Sequence, residues 1–269
     1  MNATRVHDAM RQQVSEVIDP HATEPFGVYV WADPNPAAWL ARHVERVVFE
    51  ESFGNSPELL DMEYGRYDRS SLFLCVIDHH RRVPVGMVRA ILPSAAGLKS
   101  LNDLEREWGE NVEDVFARTG LEVQRELVLD CATVATSPEY RGGVTHGVIS
   151  MALYQSFATA AVANGFRWVV AVIDAPVLRV LQYRLGRVFE TYEGVPAMPY
   201  LGSTASMPVW CDAPAVSARL AASNPVKHDL IFGGHGLVGS VAPPDWDVVE
   251  ELIGGCAERR LVRESAPPA

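Results

Sequence analysis

Cysteine is scarce in this sequence. There are four in 269 residues, at Cys75, Cys131, Cys211 and Cys256. They stand far apart, with no C-x-x-C pair and no histidine at zinc-ligand spacing, so neither a disulfide framework nor a zinc site is expected. Two of them fall inside apolar strand candidates, where a thiol serves as a small core side chain. Basic residues are also in the minority, 23 Lys and Arg against 34 Asp and Glu, for a net charge of −11. That sign argues against a general nucleic-acid or anionic-membrane surface and leaves room only for a local basic pocket. No apolar run reaches the roughly 18 residues that a membrane helix needs. The first residues, MNATRVHDAMRQQVSEVID, carry charges throughout and lack the apolar stretch of a signal peptide. Internal repeats and low-complexity runs are missing as well. These absences point to a cytoplasmic soluble protein with no metal centre.

What is present is a globular composition, 48% hydrophobic and 21% charged, long enough for one large domain or a domain with extensions. Residues 1–25 are polar with a weak helical pattern and read as an N-terminal extension. Phe26 to Trp31 has the β-branched and aromatic content of a strand. Leu40, Val44, Val47 and Val48 recur at helical spacing within Ala37 to Phe53. Met62 to Asp68 is a polar and aromatic connector. Ser71 to Asp78 and Val83 to Leu92 read as the two arms of a hairpin across a charged turn that contains His79 and His80. Leu98, Leu101, Leu104 and Trp108 mark a helix. Arg167 to Ile173 is a buried strand, Val177 to Leu185 a helix, and Val188 to Tyr192 and Met207 to Trp210 closing strands. Residues 214–269 form a helical appendage with a frayed tail.

The most informative stretch is Leu121 to Leu153. The run Glu126 to Thr136 reads as a buried strand. Ser137 to Tyr140 breaks it, because proline offers no N–H to a ladder. Arg141-Gly142-Gly143-Val144-Thr145-His146-Gly147 leads into a helix over Val148 to Ala163. A glycine-rich loop opening a helix presents free N–H groups at the positive end of the helix dipole, which suits a phosphate or pyrophosphate. The loop is not G-x-x-x-x-G-K-[ST], nor G-x-G-x-x-G. A plain strand-to-helix turn is the other reading of the same residues.

Val134, Pro138, Tyr140, Arg141, Gly142, Gly143 and Gly147 stand in an order that resembles the acyl-CoA loop of the GNAT acyltransferase superfamily, "V-x-P-x-Y-R-G-x-G-x-G". Val144 takes one glycine place, and the last glycine falls about one residue late. The element order is similar to that superfamily too. It implies an α/β (α+β) fold with a mixed, mostly antiparallel central sheet flanked by helices over residues 26–213, carrying the C-terminal appendage. From residue 63 to 210 the chain resembles the branch of N-acyl-homoserine lactone synthases and N-acyl amino acid synthases. Three features carry this: Glu63 to Asp68 before the strand Ser71–Asp78, the segment Val85 to Ser94 around Arg89, and Glu122-Val123-Gln124-Arg125 entering the central strand. The chain departs from the branch at Gly65, where an acid is expected. It departs again near Arg46, Phe49 and Phe53, which are not at the family spacing and have no tryptophan after them. Amine N-acylation is therefore the expectation, rather than lactone formation.

The resemblance implies an N-acyltransferase that takes acyl-CoA or acetyl-CoA, or an acyl-carrier protein, as donor and the amine of a small molecule as acceptor. The alternative is an acyl-CoA-binding protein without catalysis. The loop Arg141 to Gly147 would hold the pyrophosphate, and backbone N–H groups of Val134, Ala135 and Thr136 would meet the thioester carbonyl or the pantetheine. Glu122 is the first candidate base and Glu126 the second. If both lie in the strand, they share a face with Gln124 while Arg125 points opposite. Glu122 and Arg125 read equally well as structural partners of Arg89 or Asp68. Asp68, Arg89 and Arg125 are the implied substrate-binding residues. Tyr183 resembles the acid tyrosine of acetyltransferases, although Gln182 occupies the matching place, and His146 is a further candidate near the thioester.

Overall fold

The computed structural model describes residues 3–142, 145 and 147–264. The chain opens with helix α1 (Ala3–Val17), strand β1 (Phe26–Ala32) and helix α2 (Ala38–Phe53). The helical pattern of the first residues forms a real helix, and Met10 and Val14 are buried by it. Gly54, in the left-handed region, ends α2. Helix α3 (Pro57–Tyr64) follows at once. Ser56 accepts from Leu59 N at 3.2 Å and Pro57 sits in the first turn, so the dipeptide that stops one helix starts the next. The connector expected over Met62 to Asp68 is thus the end of α3 and a 3-10 turn.

Strands β2 (Ser71–Asp78) and β3 (Val83–Ile91) form the expected hairpin, followed by helices α4 (Lys99–Arg106) and α5 (Val112–Thr119). Next come β4 (Val128–Thr136), α6 (Val148–Ala163), β5 (Trp168–Asp174) and α7 (Ala175–Leu185). The short strands β6 (Glu190–Thr191) and β7 (Met198–Tyr200) precede the long strand β8 (Ser203–Asp212). The appendage consists of α8 (Ala213–Ser223), α9 (Pro225–Ile231), β9 (Val241–Ala242) and α10 (Trp246–Glu264).

The strands make one nine-stranded sheet in the order β6-β8-β5-β4-β3-β2-β1-β9, with β7 paired to β8. Most neighbours are antiparallel; β4 with β5 and β1 with β9 are parallel. The period-two pattern of β2 sorts its side chains between two cores. Leu72, Leu74 and Val76 face the core under α6, and Phe73, Cys75 and Ile77 face the core under α1 and α2. This double coverage is why every residue of β2 is buried. A third core, with Leu101, Leu104 and Phe116, lies under α4 and α5 on the α2 face.

The appendage packs back on the domain. β9 extends the sheet beside β1, with Phe26 opposite Val241. Gln155 of α6 donates to Leu230 O at 2.7 Å and to His235 O at 2.9 Å, which ties the end of α9 to α6. Among the described residues, no helix is long and apolar enough to cross a membrane.

Candidate functional site

The sheet is interrupted between β4 and β5. The two pair only from Val128, Leu129 and Asp130 to Trp168, Val169 and Val170, and beyond that point they part. The cause lies on the other edge of β4. Arg89 is opposite Thr133 and Ala90 is opposite Cys131, so Ala132 has no partner. Such a bulge bends the strand and raises its twist.

A buried charge cluster stands beside the bulge. Arg89 donates to Glu45 at 3.1 and 2.6 Å and to Asp68 at 2.7 Å, and Thr133 Oγ1 donates to Glu45 Oε1 at 2.5 Å. The Arg89 guanidinium also lies between the Phe73 and Tyr64 rings, 4.8 and 5.0 Å from their centroids. Glu45 and Arg89 are almost fully buried, at 2% and 3% exposure. A buried pair with bidentate geometry fixes the groups around it, and here those groups are the bulge and the first turns of the gap.

The gap holds a cavity of about 570 Å³, lined by Cys131 to Thr136 on one side and Ala171 to Asp174 on the other. It passes from the α2 face of the sheet, at Phe49, Tyr64 and Lys99, to the α6 face, at Tyr154 and Phe157. Ser137 N donates to Val85 O at 2.9 Å, so the ladder to β3 uses alternate residues from there. Counting back, the N–H groups of Val134 and Thr136 turn away from β3 and toward the gap. Thr136 O, on that same side, accepts from Arg141 Nε at 2.8 Å.

Arg141 and Ser150 line the mouth and bracket the glycine loop. Buried Tyr140 anchors this loop by donating to Asp78 Oδ2 at 2.8 Å. Thr145 Oγ1 donates to Tyr140 O at 2.7 Å. Gly147 precedes α6 at φ 78°, where a Cβ is strained, and no side chain caps the helix. The first turn of α6 also has no acidic residue. The positive end of α6 is therefore uncompensated by its own sequence and faces the cavity mouth beside a cation.

On the α4 side the cavity meets a buried polar cluster. Lys99 Nζ donates to Asp103 at 2.7 Å, Glu63 at 2.9 Å and Tyr200 Oη at 2.9 Å. Tyr200 Oη donates to Asp103, and Arg106 donates to Glu63 at 2.7 Å. Burial pushes the Tyr200 phenol well above its usual range, as do Tyr64 and Asp103 nearby. Burial also works to raise Glu63, but hydrogen bonds from Lys99 and Arg106 leave it below the ordinary carboxylate value. Beneath the cluster, Asp130 accepts from Ser100 N and Oγ, each at 2.7 Å. Burial outweighs those bonds and pushes Asp130 up to about 7. On the α6 side, burial raises the Tyr154 phenol and the Cys131 thiol, each to about 12.

The structure separates the residues that sequence reading put together. Val134, Ala135, Thr136 and Arg141 line the cavity. Gly142, Thr145 and Gly147 lie in the loop between Arg141 and Ser150, while Gly143, Val144 and His146 fall outside the described residues. Asp68 and Arg89 meet each other, behind the cavity wall rather than in it.

The strand reading of Glu122 to Glu126 needs correction. Leu127 N closes a 3-10 turn onto Gln124 O at 3.0 Å, and β4 begins only at Val128. Glu122, Arg125 and Glu126 are exposed and none lines the cavity; Arg125 pairs with Glu113 at 2.7 Å. Tyr183 is 90% exposed on α7 and also lies outside the lining. The tyrosines that do line it are Tyr64, Tyr154 and Tyr200, with Tyr154 on the α6 side. Ser150, Tyr154 and Phe157 recur at helical spacing, a stripe that could be read from sequence but looks like ordinary core. Glu45, Lys99 and Asp103 had no such signal, since charges on helices read as solvated faces, and Tyr200 stands in a stretch with no periodic pattern. Among the described residues, no group of His, Cys, Asp or Glu is arranged to hold a metal.

No protein-family model matches the chain, and no curated protein matches it by sequence. Solved structures do match. The N-acyl amino acid synthase FeeM from uncultured soil microbes superposes with a TM-score of 0.53 at 15% identity, over 73% of this chain and 95% of that one. The AHL synthase LasI gives 0.52 at 12% identity, over 77% and 95%. The CoA-dependent acyl-homoserine lactone synthase BjaI, with MTA, gives 0.50 at 16% identity, over 84% and 98%. At these identities the likeness is one of fold, and the fold of this chain is the GNAT-like one these acyltransferases share.

Proposed function

We propose that this chain is an N-acyltransferase that moves an acyl group from an acyl thioester to the amine of a small molecule. The observation that carries this reading is the cavity that passes through the sheet where β4 and β5 part. It gives a thioester and an amine separate approaches to one point. The positive end of α6 and Arg141 would take the donor's pyrophosphate or phosphate. The pantetheine would run into the gap, where the N–H groups of Val134 and Thr136 are free to bind its amide or the thioester oxygen. A fixed backbone donor stabilises the charge that develops on that oxygen as the amine attacks.

The amine would arrive from the α4 side, beside Tyr64, Lys99, Asp103 and Tyr200. As the N–C bond forms and the C–S bond breaks, the amine loses a proton and the thiolate leaves. Tyr200 and Asp103 form the acceptor-side route for that proton, in place of Glu122 and Glu126, which stand outside the cavity. The thiolate is protonated at the mouth, by solvent. The donor is an acyl-CoA or an acyl-carrier protein, and the site is cytoplasmic, where such thioesters are available.

One observation favours binding without turnover. Lys99 and Arg106 already hold both Glu63 and Asp103. Native mass spectrometry with acetyl-, octanoyl- and palmitoyl-CoA, followed by thiol release with a panel of amines, tests both readings. Retention of a thioester with amine-dependent thiol release lost in Asp103→Asn supports catalysis. Retention without release supports the binding protein. Retention of none, and no turnover with acyl-carrier-protein donors, overturns both.

A further inference from the structure

We propose that the C-terminal helices α8 and α9 belong to the acyl-donor site, closing an apolar arm that takes a chain of about eight carbons. The inference rests on the acyltransferase reading and deepens it. On the α6 face the cavity continues past the point where β4 and β5 come together, since Val169 lies in its lining and pairs with Leu129 of β4. From Tyr154 onward the α6 wall is Phe157, Ala158 and Ala161, and the far wall is Val216 of α8 with Ile231 and Phe232 at the end of α9. No lining side chain in this arm is charged. An uncharged, enclosed arm leading off a polar reaction point suits hydrocarbon and gives nothing to a polar acceptor.

The end is closed and held. Val216 and Ile231 are buried, at 6% and 4% exposure. Gln155, two residues before Phe157, bonds the backbone of Leu230 and His235 and so fixes the end of α9 against α6. Asp212 caps α8 by accepting from Ala215 N at 3.0 Å, directly off β8. The appendage is thus positioned by the sheet and by α6, the two elements that also shape the gap.

The length follows from helix geometry. Tyr154 and Ala161 are separated by about 10 Å at 1.5 Å per residue. An extended chain advances about 1.2 Å per bond, so about eight carbons reach from the gap to the far wall. An acetyl group would leave the arm empty, and a palmitoyl chain would exceed it.

Calorimetric titration of the full chain with acetyl-, octanoyl- and palmitoyl-CoA tests the proposal, with Val216→Phe and Phe232→Ala beside the wild type. Wild type is expected to bind octanoyl-CoA at least about tenfold more tightly than either of the others. Val216→Phe shortens the arm and lowers the octanoyl-to-acetyl affinity ratio by about tenfold. Phe232→Ala opens the end and raises the palmitoyl-to-octanoyl ratio several-fold. A purely structural role for α8 and α9 would change all three affinities together and leave both ratios in place. If wild type binds thioesters and neither ratio moves, the proposal falls and the acyltransferase reading stands. If wild type binds none of them and turns over no acyl-carrier-protein donor either, that reading falls and takes this one with it. Should Val216→Phe fail to fold, the ratio in Phe232→Ala decides alone.

Discussion

Replacing Arg89 by methionine should destabilise the chain more than almost any other single change, and the reason can be worked from its surroundings. The methionine keeps an unbranched stem between the Phe73 and Tyr64 rings, so most apolar packing survives. What is lost is the partner of Glu45, a carboxylate 2% exposed whose other bond is from Thr133. A buried charge stripped of its partner costs about 3–5 kcal/mol. At about 2–4 °C per kcal/mol for a domain of this size, the melting temperature falls on the order of 10 °C. Glu45→Leu should cost less, because Arg89 keeps Asp68 at 2.7 Å. The double variant Arg89→Met/Glu45→Leu removes both charges. Asp68 still has Arg42 at 3.3 Å. The double variant should therefore lose less stability than the sum of the singles, by at least about 1.5 kcal/mol. Urea denaturation of the four proteins measures the cycle. Additivity within about 0.5 kcal/mol would refute the claim that this pair pins the bulge of β4.

Three further predictions concern the same region. Asp130 is held protonated up to about pH 7 in the folded chain, against 3.8 for the free side chain. The folded state then binds the extra proton in that window, so stability should fall as pH rises through it. Asp130→Asn should flatten that decline in melts taken between about pH 5 and pH 8, and an equal slope in both proteins would show that Asp130 is not its source. Gly202, at φ 80° beside the cavity, has Phe53 O only 2.2 Å from where a Cβ would stand. Gly202→Ala should cost at least about 1–3 kcal/mol by thermal unfolding, and a neutral result would mean the β7–β8 turn does not pack against the end of α2 as described. Burial raises the thiols of Cys131 and Cys211 to about 12 and that of Cys75 higher still. In a Cys256→Ser background, thiol reagents at neutral pH should therefore label the native protein far more slowly than the urea-unfolded one. Rapid native labelling of Cys75 or Cys211, the two buried thiols, would contradict their placement.

Sequence alone determined most of the framework. The hairpin at residues 71–92, the strand and helix around the glycine loop, and β5 with α7 all appear close to where periodicity and breakers put them, because each pattern repeats within a few neighbouring residues. The strand edge at Val128 did not follow from sequence. Gln124, Arg125, Glu126 and Leu127 carry no strand preference of their own, and β4 begins where Val128 meets its partner Trp168. The site was legible only where it is local, at the loop and along β4. Lys99, Asp103, Glu63 and Tyr200 come from three separate segments, and nothing in any one segment marks them. Their proximity exists only once α3, α4 and the β7–β8 hairpin converge on one end of the sheet. The same holds for Glu45, whose role depends on Arg89 from another element. The arm under α8 and α9 is the extreme case, since its volume is the space left between elements and has no residue pattern of its own. Short-range periodicity writes secondary structure into a sequence, while the charge partners and the cavity are properties of distances between segments that only the packed fold sets.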